Sequence, residues 1–367
     1  MKMSNVGMTL TESKTSEFEI RYAQPIKFLM ENGSSIICYK ILTELCDNSA
    51  PDTVQKYRSE VTCSERVNML LACLKNRKEY HGATSYAVEN SLNMLVDMGV
   101  VYNTGFSEFD KVLEEIADEV KMLYLPDNDV FHIFYQILIV PFLYRAGLRQ
   151  AWITDFIKNR INLIHEFTKL QNYDIYDDLL LHKLPAAYAG RSVIKPELYK
   201  NGDIQFPLEY DIYGFAEIFE DLAVDMKNKV NEIISYIMDD RFQVIQDGYG
   251  ILYKGNNSYV SMGWDPKPVN LLERSKVNPL LRHLELLSHF KSAVQSQWFK
   301  QGIDIVNHYL DESGTYNLPK EYLTEKDSIW IMGNHMSLGE NRRSKKAYVV
   351  EGTFHMLKIL KQTEGAN

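Results

Sequence analysis

The feature that most constrains the fold is a helical spacing of apolar residues along most of the 367-residue chain. In residues 64–78, for example, Val67, Leu70 and Leu74 recur at the three- and four-residue spacing of a single helix face. Glycines and prolines separate the segments that carry this pattern, which predicts antiparallel helical hairpins. The predicted helices are 64–78, 86–98, 108–123, 130–145, 152–170, 215–237, 279–290, 298–310 and 345–361.

Strand signals are few, and the strongest lies in residues 250–262, GILYKGNNSYVSM. Two short alternating runs flank Lys254-Gly-Asn-Asn, which is typical of a hairpin with a glycine- and asparagine-rich turn. The sequence therefore predicts an all-α fold, a superhelical or ring-like body of helical hairpins, with one short β-hairpin near 250–262.

A chain of 367 residues exceeds the size at which one simple core stops growing, so a repetitive helical body and two lobes are both compatible with it. We expect a flexible N-terminus followed by one helical-repeat domain, within which two lobes can be drawn. The boundaries are 1–17 for the N-terminus, 18–367 for the domain, and 18–200 and 201–367 for the lobes.

Charge and hydropathy narrow the class of partner. The net charge of -9 disfavours binding to nucleic acid or an anionic membrane, because both need a basic surface. The longest apolar run, 131–144, is interrupted by His132, Gln136 and Pro141, so it predicts a buried helix and no membrane span. The polar N-terminus has no apolar signal core, and the four cysteines form no CxxC pair. A cytoplasmic protein with a small-molecule partner is expected, and the oligomeric state is left open.

Three segments share a form in which an amphipathic helix is followed by a glycine, an aromatic residue and the entry to another helix. They are residues 67–86, 230–253 and 303–320. As a pattern of units over residues 67–360, the chain resembles the α/α toroids of terpene cyclases and protein prenyltransferase β subunits. The resemblance implies paired helices around a central cavity that binds an apolar or isoprenoid-like molecule.

The diagnostic motifs of those families do not accompany the pattern. The acid motif DxDD of class II cyclases is absent, and the nearest text is the run Asp174-Ile-Tyr-Asp177-Asp178. The tryptophan-rich repeats are missing, and no Asp/Cys/His zinc set is apparent. The resemblance therefore extends to the fold, and the site has to be sought among the residues themselves.

The first candidate site is the run Tyr173, Asp174, Tyr176, Asp177 and Asp178. On a helix, Asp174 and Asp178 would share a face, and like charges held close keep one proton, as a general acid requires. The tyrosines would line the substrate site. The same oxygens could ligate Mg²⁺, although no metal motif is present and no cofactor is evident. The alternative is that acidic residues at a helix start favour the helix dipole.

The second candidate is Trp264 with Asp265. The proline that follows Asp265 disfavours helix there, so its carboxylate is expected on a rigid loop beside an indole. A carboxylate desolvated in this way could donate or accept a proton. Alternatively, it fixes a turn.

The third candidate lies between 311 and 354, where His335, Glu340, Arg342 and Arg343 precede the last predicted helix. Free amides at a helix start and an arginine pair suit a phosphate or carboxylate, so this segment predicts substrate binding. In the alternative, Glu340 orients one of the arginines in a structural ion pair.

These observations lead to one main hypothesis and two alternatives. The main hypothesis is a toroid-like enzyme of the cyclase, lyase or transferase kind, in which Asp174, Asp177, Asp178 or Asp265 does acid–base chemistry on an apolar molecule. The first alternative is an α/α-barrel glycoside hydrolase or lyase that uses two of these carboxylates. The second is a non-catalytic helical-repeat scaffold that binds a protein.

Overall fold

The fold is all-α with one small antiparallel sheet, as the periodicity predicts. The computed structural model describes residues 15–122, 130–178, 184–199, 203–273 and 278–366. Most of the N-terminus expected to be flexible lies outside these residues, but Ser16 caps the first helix. No helix in the described part of the chain is long and apolar enough to span a bilayer.

The helices follow one another with short connections. In the described residues the α-helices are α1 (Glu17–Arg21), α2 (Ala23–Asn32), α3 (Ser35–Lys40), α4 (Pro51–Thr62), α5 (Glu65–Lys75), α6 (Val88–Asp97), α7 (Ser107–Met122), α8 (Val130–Arg145), α9 (Ala151–Thr168), α10 (Glu209–Ile218), α11 (Val224–Met238), α12 (Asp240–Gln243), α13 (Asn278–Leu287), α14 (Lys291–Val294), α15 (Gln297–Asn307) and α16 (Ala347–Ala366). A π-helical turn, Ile41–Leu45, follows α3, and 3-10 turns occur at Ala186–Tyr188, Pro196–Leu198, Phe219–Asp221 and Trp330–Met332.

One predicted helix is divided. The prediction of a single helix over 215–237 was wrong, because α10 ends at Ile218 and α11 begins only at Val224. Phe219 and Leu222 are both buried, and Leu222 adopts an extended conformation. The turn between α10 and α11 lets both side chains reach the core. Burying them favours the turn over one continuous helix.

The most buried helices form a connected series. Helix α6 packs against α8, α8 against α10, α10 against α13, and α13 against α16. Helix α16 then packs against α2 and the π-helical turn, which brings the C-terminal helix next to the N-terminal helices. All ten residues of α6 are buried, which is typical of a helix covered on every side. Helices α5, α7 and α9 lie outside this series, against α6 and α8.

A buried ionic cluster joins the carboxyl ends of α6 and α8 to the middle of α13. The Asp97 carboxylate lies 2.6 Å from the Arg145 guanidinium and 2.8 Å from that of Arg282, and it accepts a 2.6 Å hydrogen bond from Nε1 of Trp330. Both guanidiniums lie over the Trp330 ring. Burial by itself would raise the pKa of Asp97, but Arg282 and Arg145 overcome it and hold that pKa well below its usual value.

The predicted hairpin is confirmed. Its strands are β1 (Ile251–Gly255) and β2 (Ser258–Ser261), and the turn residues Asn256 and Asn257 have φ values of 48° and 58°. Asparagine tolerates this left-handed region better than most residues do. The chain leaving β2 reaches the start of α10, where the Trp264 carbonyl accepts a 3.2 Å hydrogen bond from the amide of Glu209. The hairpin thereby places Trp264 against the buried helices.

Candidate active site at the start of the buried helices

Polar residues concentrate where α6 and α10 begin. Glu89 is the second residue of α6, and Glu209 and Tyr210 are the first two residues of α10. Their exposed fractions are only 4%, 3% and 1%. Charged residues are seldom buried without a partner, so this end of the helices is a candidate for chemistry.

Glu89 holds a histidine and a tyrosine together. Its Oε1 lies 2.8 Å from Nδ1 of His81 and accepts a 3.0 Å hydrogen bond from the Gly82 amide. Its Oε2 accepts a 3.2 Å hydrogen bond from the Tyr210 hydroxyl. The bond to Glu89 raises the pKa of His81 although burial opposes it, while burial and Glu89 raise the pKa of Tyr210 well above its usual value. The result is an imidazole with a fixed orientation and a strengthened affinity for protons.

His81 lines a cavity of about 240 Å³, called here the aromatic pocket. Its ring meets that of Phe134 edge to face, with 6.3 Å between the centroids, and Phe134 meets Tyr210 in the same way at 6.4 Å. The walls are therefore mostly apolar, and the imidazole of His81 stands among them. The pocket is lined by His81, Phe134, Tyr135, Ile204, Leu252, Val260, Ser261, Met262, Gly263 and Trp264.

Glu209 lies beside this pocket, and its carboxyl group has fewer hydrogen-bond partners than that of Glu89. Its Oε1 is buried and has no hydrogen-bond partner among the described residues. Burial, with a smaller contribution from Asp265, raises the pKa of Glu209 well above its usual value. Burial therefore favours the protonated form of this carboxyl group, since a lone buried carboxylate is costly.

A second cavity of about 640 Å³, called here the polar cleft, adjoins the aromatic pocket, because Trp264 lines both. Asp265 also lines the polar cleft, and its two oxygens accept hydrogen bonds from the amides of Gly248, at 2.6 Å, and Lys267, at 3.0 Å. Burial raises the pKa of Asp265, and Lys267 opposes the rise. Of the two roles expected for Asp265, these contacts favour fixing the turn.

The run from Tyr173 to Asp178 does not form the helix on which its acidic pair was predicted. Residues 173–177 are non-helical, and Tyr176 forms an antiparallel bridge with Ile194. Asp174 is exposed and lies 2.8 Å from Nζ of Lys195, and Asp178 is exposed as well. Because extended chain rises about 3.3 Å per residue, Asp174 and Asp178 do not lie one turn apart as they would on a helix.

The other members of this run also have local contacts. The amide of Asp177 donates a 2.8 Å hydrogen bond to the Val193 carbonyl. Tyr173 stacks on Tyr236 with 4.3 Å between the ring centroids, and the Tyr176 hydroxyl accepts a 3.0 Å hydrogen bond from the Gln246 amide. None of the five predicted residues lines the aromatic pocket or the polar cleft.

The predicted binding residues before the last helix lie elsewhere, in internal contacts. Arg342 lies 3.1 Å from Glu325 and 2.5 Å from the fully buried Glu351. Glu340 accepts a 2.6 Å hydrogen bond from the Ser34 amide, so it is not the partner of either arginine.

His335 is buried, and its carbonyl accepts a 3.1 Å hydrogen bond from Arg282 of the ionic cluster. Arg343 is exposed. These positions fasten the C-terminal loop to the body of the protein, and none of the predicted binding residues before the last helix lines either cavity.

No group of three or more histidine, cysteine or carboxylate side chains that could hold a metal ion occurs in the described ranges. Residues 179–183, which follow the predicted acidic run, lie outside those ranges. Magnesium binding at Asp174 and Asp178 stays a prediction.

None of His81, Glu89, Glu209 and Tyr210 was predicted as a site residue. One signal was present at Glu209, because residues 206–215 around it are mostly apolar, where a carboxylate needs a special reason. The proximity of Glu89 and Glu209 to His81 and Trp264 was not readable, since 121 residues separate Glu89 from Tyr210 along the chain.

Comparisons with protein-family models, with curated proteins and with solved structures found no match to this chain.

Proposed function

We propose that the protein is an enzyme that transfers a proton to or from a small, largely apolar molecule bound in the aromatic pocket. The observation that carries the proposal is the His81 imidazole, held by the buried Glu89 carboxylate, in the wall of a cavity lined by aromatic rings. Acid–base catalysis needs a titratable group of fixed orientation that reaches the substrate, and His81 meets both conditions.

The three polar groups have separate roles. His81 is the general acid or base, because its side chain is 42% exposed and lines the pocket. Glu89 is a positioning residue that holds Nδ1 and leaves Nε2 for the substrate. The Tyr210 hydroxyl, 3.5 Å from Nδ1 of His81, completes the polar end of the pocket.

The pocket walls support an apolar substrate, including an isoprenoid-like one. No lysine or arginine occurs among the described residues that line the aromatic pocket, so its walls favour an apolar group over a charged one. The faces of Phe134, Tyr135 and Trp264 also suit a developing carbocation. For such a substrate, the α/α-toroid resemblance implies a cyclase, lyase or transferase type of reaction. A glycoside hydrolase is less well supported, because a sugar needs more hydrogen-bonding groups than these walls supply.

The activity can be sought with the full chain and a small-molecule extract from cells. Wild-type protein should deplete one apolar metabolite and produce another, as measured by mass spectrometry. His81→Gln should slow this conversion by about 10²–10⁴-fold, the usual contribution of acid–base catalysis. His308→Gln, at an exposed position, is the matched control and should convert at the wild-type rate. Full activity in His81→Gln would refute the assignment.

The role of Glu89 has a readout that does not depend on the substrate. NMR titration of the His81 ring should give a pKa above the usual histidine value, and Glu89→Gln should lower it, because the neutral amide no longer stabilises the imidazolium. An unchanged His81 pKa in a folded Glu89→Gln variant would show that Glu89 does not position the imidazole.

A further inference from the structure

The aromatic pocket and the polar cleft share part of their walls. Ser261, Gly263 and Trp264 line both cavities. Gly263 has a φ of 126°, and no heavy atom lies within 4 Å of the place where a Cβ would stand. The space beside this glycine is open, so one molecule can extend from the aromatic pocket into the cleft.

His283 supplies a hydrogen-bond donor of known orientation to the cleft. Its Nδ1 accepts a 2.9 Å hydrogen bond from the Val269 amide, so the ring proton resides on Nε2. Burial, and then Arg282, lowers the pKa of His283 to about 4, which keeps the ring neutral. The residue is 4% exposed and lines the cleft, and no described residue accepts a hydrogen bond from Nε2. A ligand with an acceptor group would satisfy this donor.

Arg191 supplies a positive charge in the same cleft. Its Nη1 donates a 2.8 Å hydrogen bond to Oγ of Ser261, and within the described ranges no carboxylate forms an ion pair with it. Lys267, the other cation in the cleft, is paired with Asp247 at 2.5 Å. The carboxylate of Asp265 is engaged by two backbone amides. The guanidinium of Arg191 is thus the cation of the cleft that a ligand can neutralise.

From these contacts we infer that the substrate is amphiphilic, with an apolar body in the aromatic pocket and an anionic head group, a carboxylate or a phosphate, in the polar cleft. Arg191 pairs with the head group, and Nε2 of His283 donates a hydrogen bond to it. The inference rests on the proposed function and adds the substrate class. It also explains why the pocket wall without cations adjoins a cleft that contains two, of which Arg191 has no carboxylate partner among the described residues.

Four probes with the same ten-carbon isoprenoid tail separate the contributions of head and tail. They are geraniol, geranylamine, geranic acid and geranyl monophosphate. In calorimetric titrations of the full chain, one or both anionic probes should bind at least about tenfold more tightly than geraniol, and geranylamine should bind most weakly. Which anionic probe binds more tightly distinguishes a carboxylate from a phosphate substrate.

Single-residue variants test whether the tighter binding of the anionic probes arises in the polar cleft. Arg191→Gln should remove the advantage of the anionic probes and leave geraniol binding unchanged, and Arg191→Lys should restore part of it. His283→Asn keeps an acceptor, Oδ1, for the Val269 amide but places no donor at the position of Nε2, so it should weaken binding of the anionic probes. Ser261→Phe should block the shared wall, whereas Ser258→Phe, exposed on the same strand, should have no effect. Lys300→Gln, also exposed, controls for net charge.

The outcomes separate this inference from the proposed function. If geraniol binds and anionic probes gain nothing, or if Arg191→Gln leaves their advantage intact, the amphiphilic substrate is refuted while the aromatic pocket stands. If no probe binds and His81→Gln retains activity, the proposed function itself fails. Thermal unfolding of each variant shows whether it is folded. Arg191→Gln is the decisive variant, because a substitution at an exposed position should leave the fold intact.

Discussion

At the scale of residues, the carboxylates near the two cavities differ because their partners differ. Glu89 has a histidine, a hydroxyl and an amide around it, and Asp265 has two backbone amides. Glu209 is equally buried but one of its oxygens has no partner, which is why burial raises its pKa so far. Chemistry at this site thus depends on which buried acid is paired, and the residue type alone does not reveal it.

The raised pKa of Glu209 predicts a pH-dependent free energy of unfolding. Because this pKa is higher in the folded protein than in the unfolded chain, the stabilising contribution of the carboxyl group is complete below the unfolded pKa. It is lost as pH rises through the folded pKa. Glu209→Gln, which stays neutral, should therefore gain stability relative to wild type between about pH 5 and about pH 8.

Urea unfolding at both pH values measures this difference. Glu312→Gln, at an exposed position, is the control and should keep the pH dependence of the wild type. If Glu209→Gln and wild type lose stability in parallel as pH rises, the pKa of Glu209 is not raised in the folded protein.

At the scale of elements, the site depends on how closely α8 and α10 approach each other. A Cβ built at Gly214 of α10 would lie 3.2 Å from Cβ of Pro141 in α8, so the absence of a side chain permits this contact. The first turn of α10 carries Glu209 and Tyr210, and α8 carries Phe134, so the same helix pair aligns the wall of the aromatic pocket.

We expect Gly214→Leu to reduce the free energy of unfolding by at least about 1–3 kcal/mol, the usual cost of overpacking a core. It should also weaken binding of apolar probes, because the wall of the pocket moves. Chemical denaturation and geraniol titration measure the two effects. Gly365→Leu tests the same change in α16, where nothing lies within 4 Å, and it should be nearly neutral. Equal losses in both variants would contradict close packing as the cause.

At the scale of the whole molecule, the ionic cluster at Asp97 joins α6, α8 and α13 with the Trp330 turn. In α6 the cluster residue Asp97 is the last residue of the helix, whereas Glu89 of the candidate active site lies at its amino end. Removing one member of a buried cluster leaves the other charges without compensation, which costs more than the cluster itself contributes.

Asp97→Asn should accordingly lower the free energy of unfolding by about 3–5 kcal/mol. Asp174→Asn makes the same chemical change in an exposed ion pair with Lys195 and should cost at most about 1 kcal/mol. Urea unfolding of the two variants against wild type measures the contrast. Similar small losses would mean that the cluster adds little to the integrity of the helical body.

Particular residues show how far prediction from sequence extends. The hairpin at residues 251–261 was predictable, because alternating strands and an Asn-Asn turn are local signals. The acidic run at 173–178 would share a face only on a helix, but the bridge from Tyr176 to Ile194 belongs to an extended segment. Trp264 lines both cavities and Asp265 lines the polar cleft, yet the partners of Asp265 are backbone amides that no side-chain pattern indicates.

Sequence by itself determined the helical class, most helix positions and the hairpin, because apolar periodicity and turn residues act over a few positions of the chain. Only the tertiary structure decided that α16 returns to the N-terminal helices and that His81, Glu89 and Tyr210 meet at one pocket. Those contacts join residues far apart in sequence, and they form because the helices must bury their apolar faces together. Amphipathic helices can satisfy that requirement in many arrangements, so a linear pattern does not specify which side chains come together.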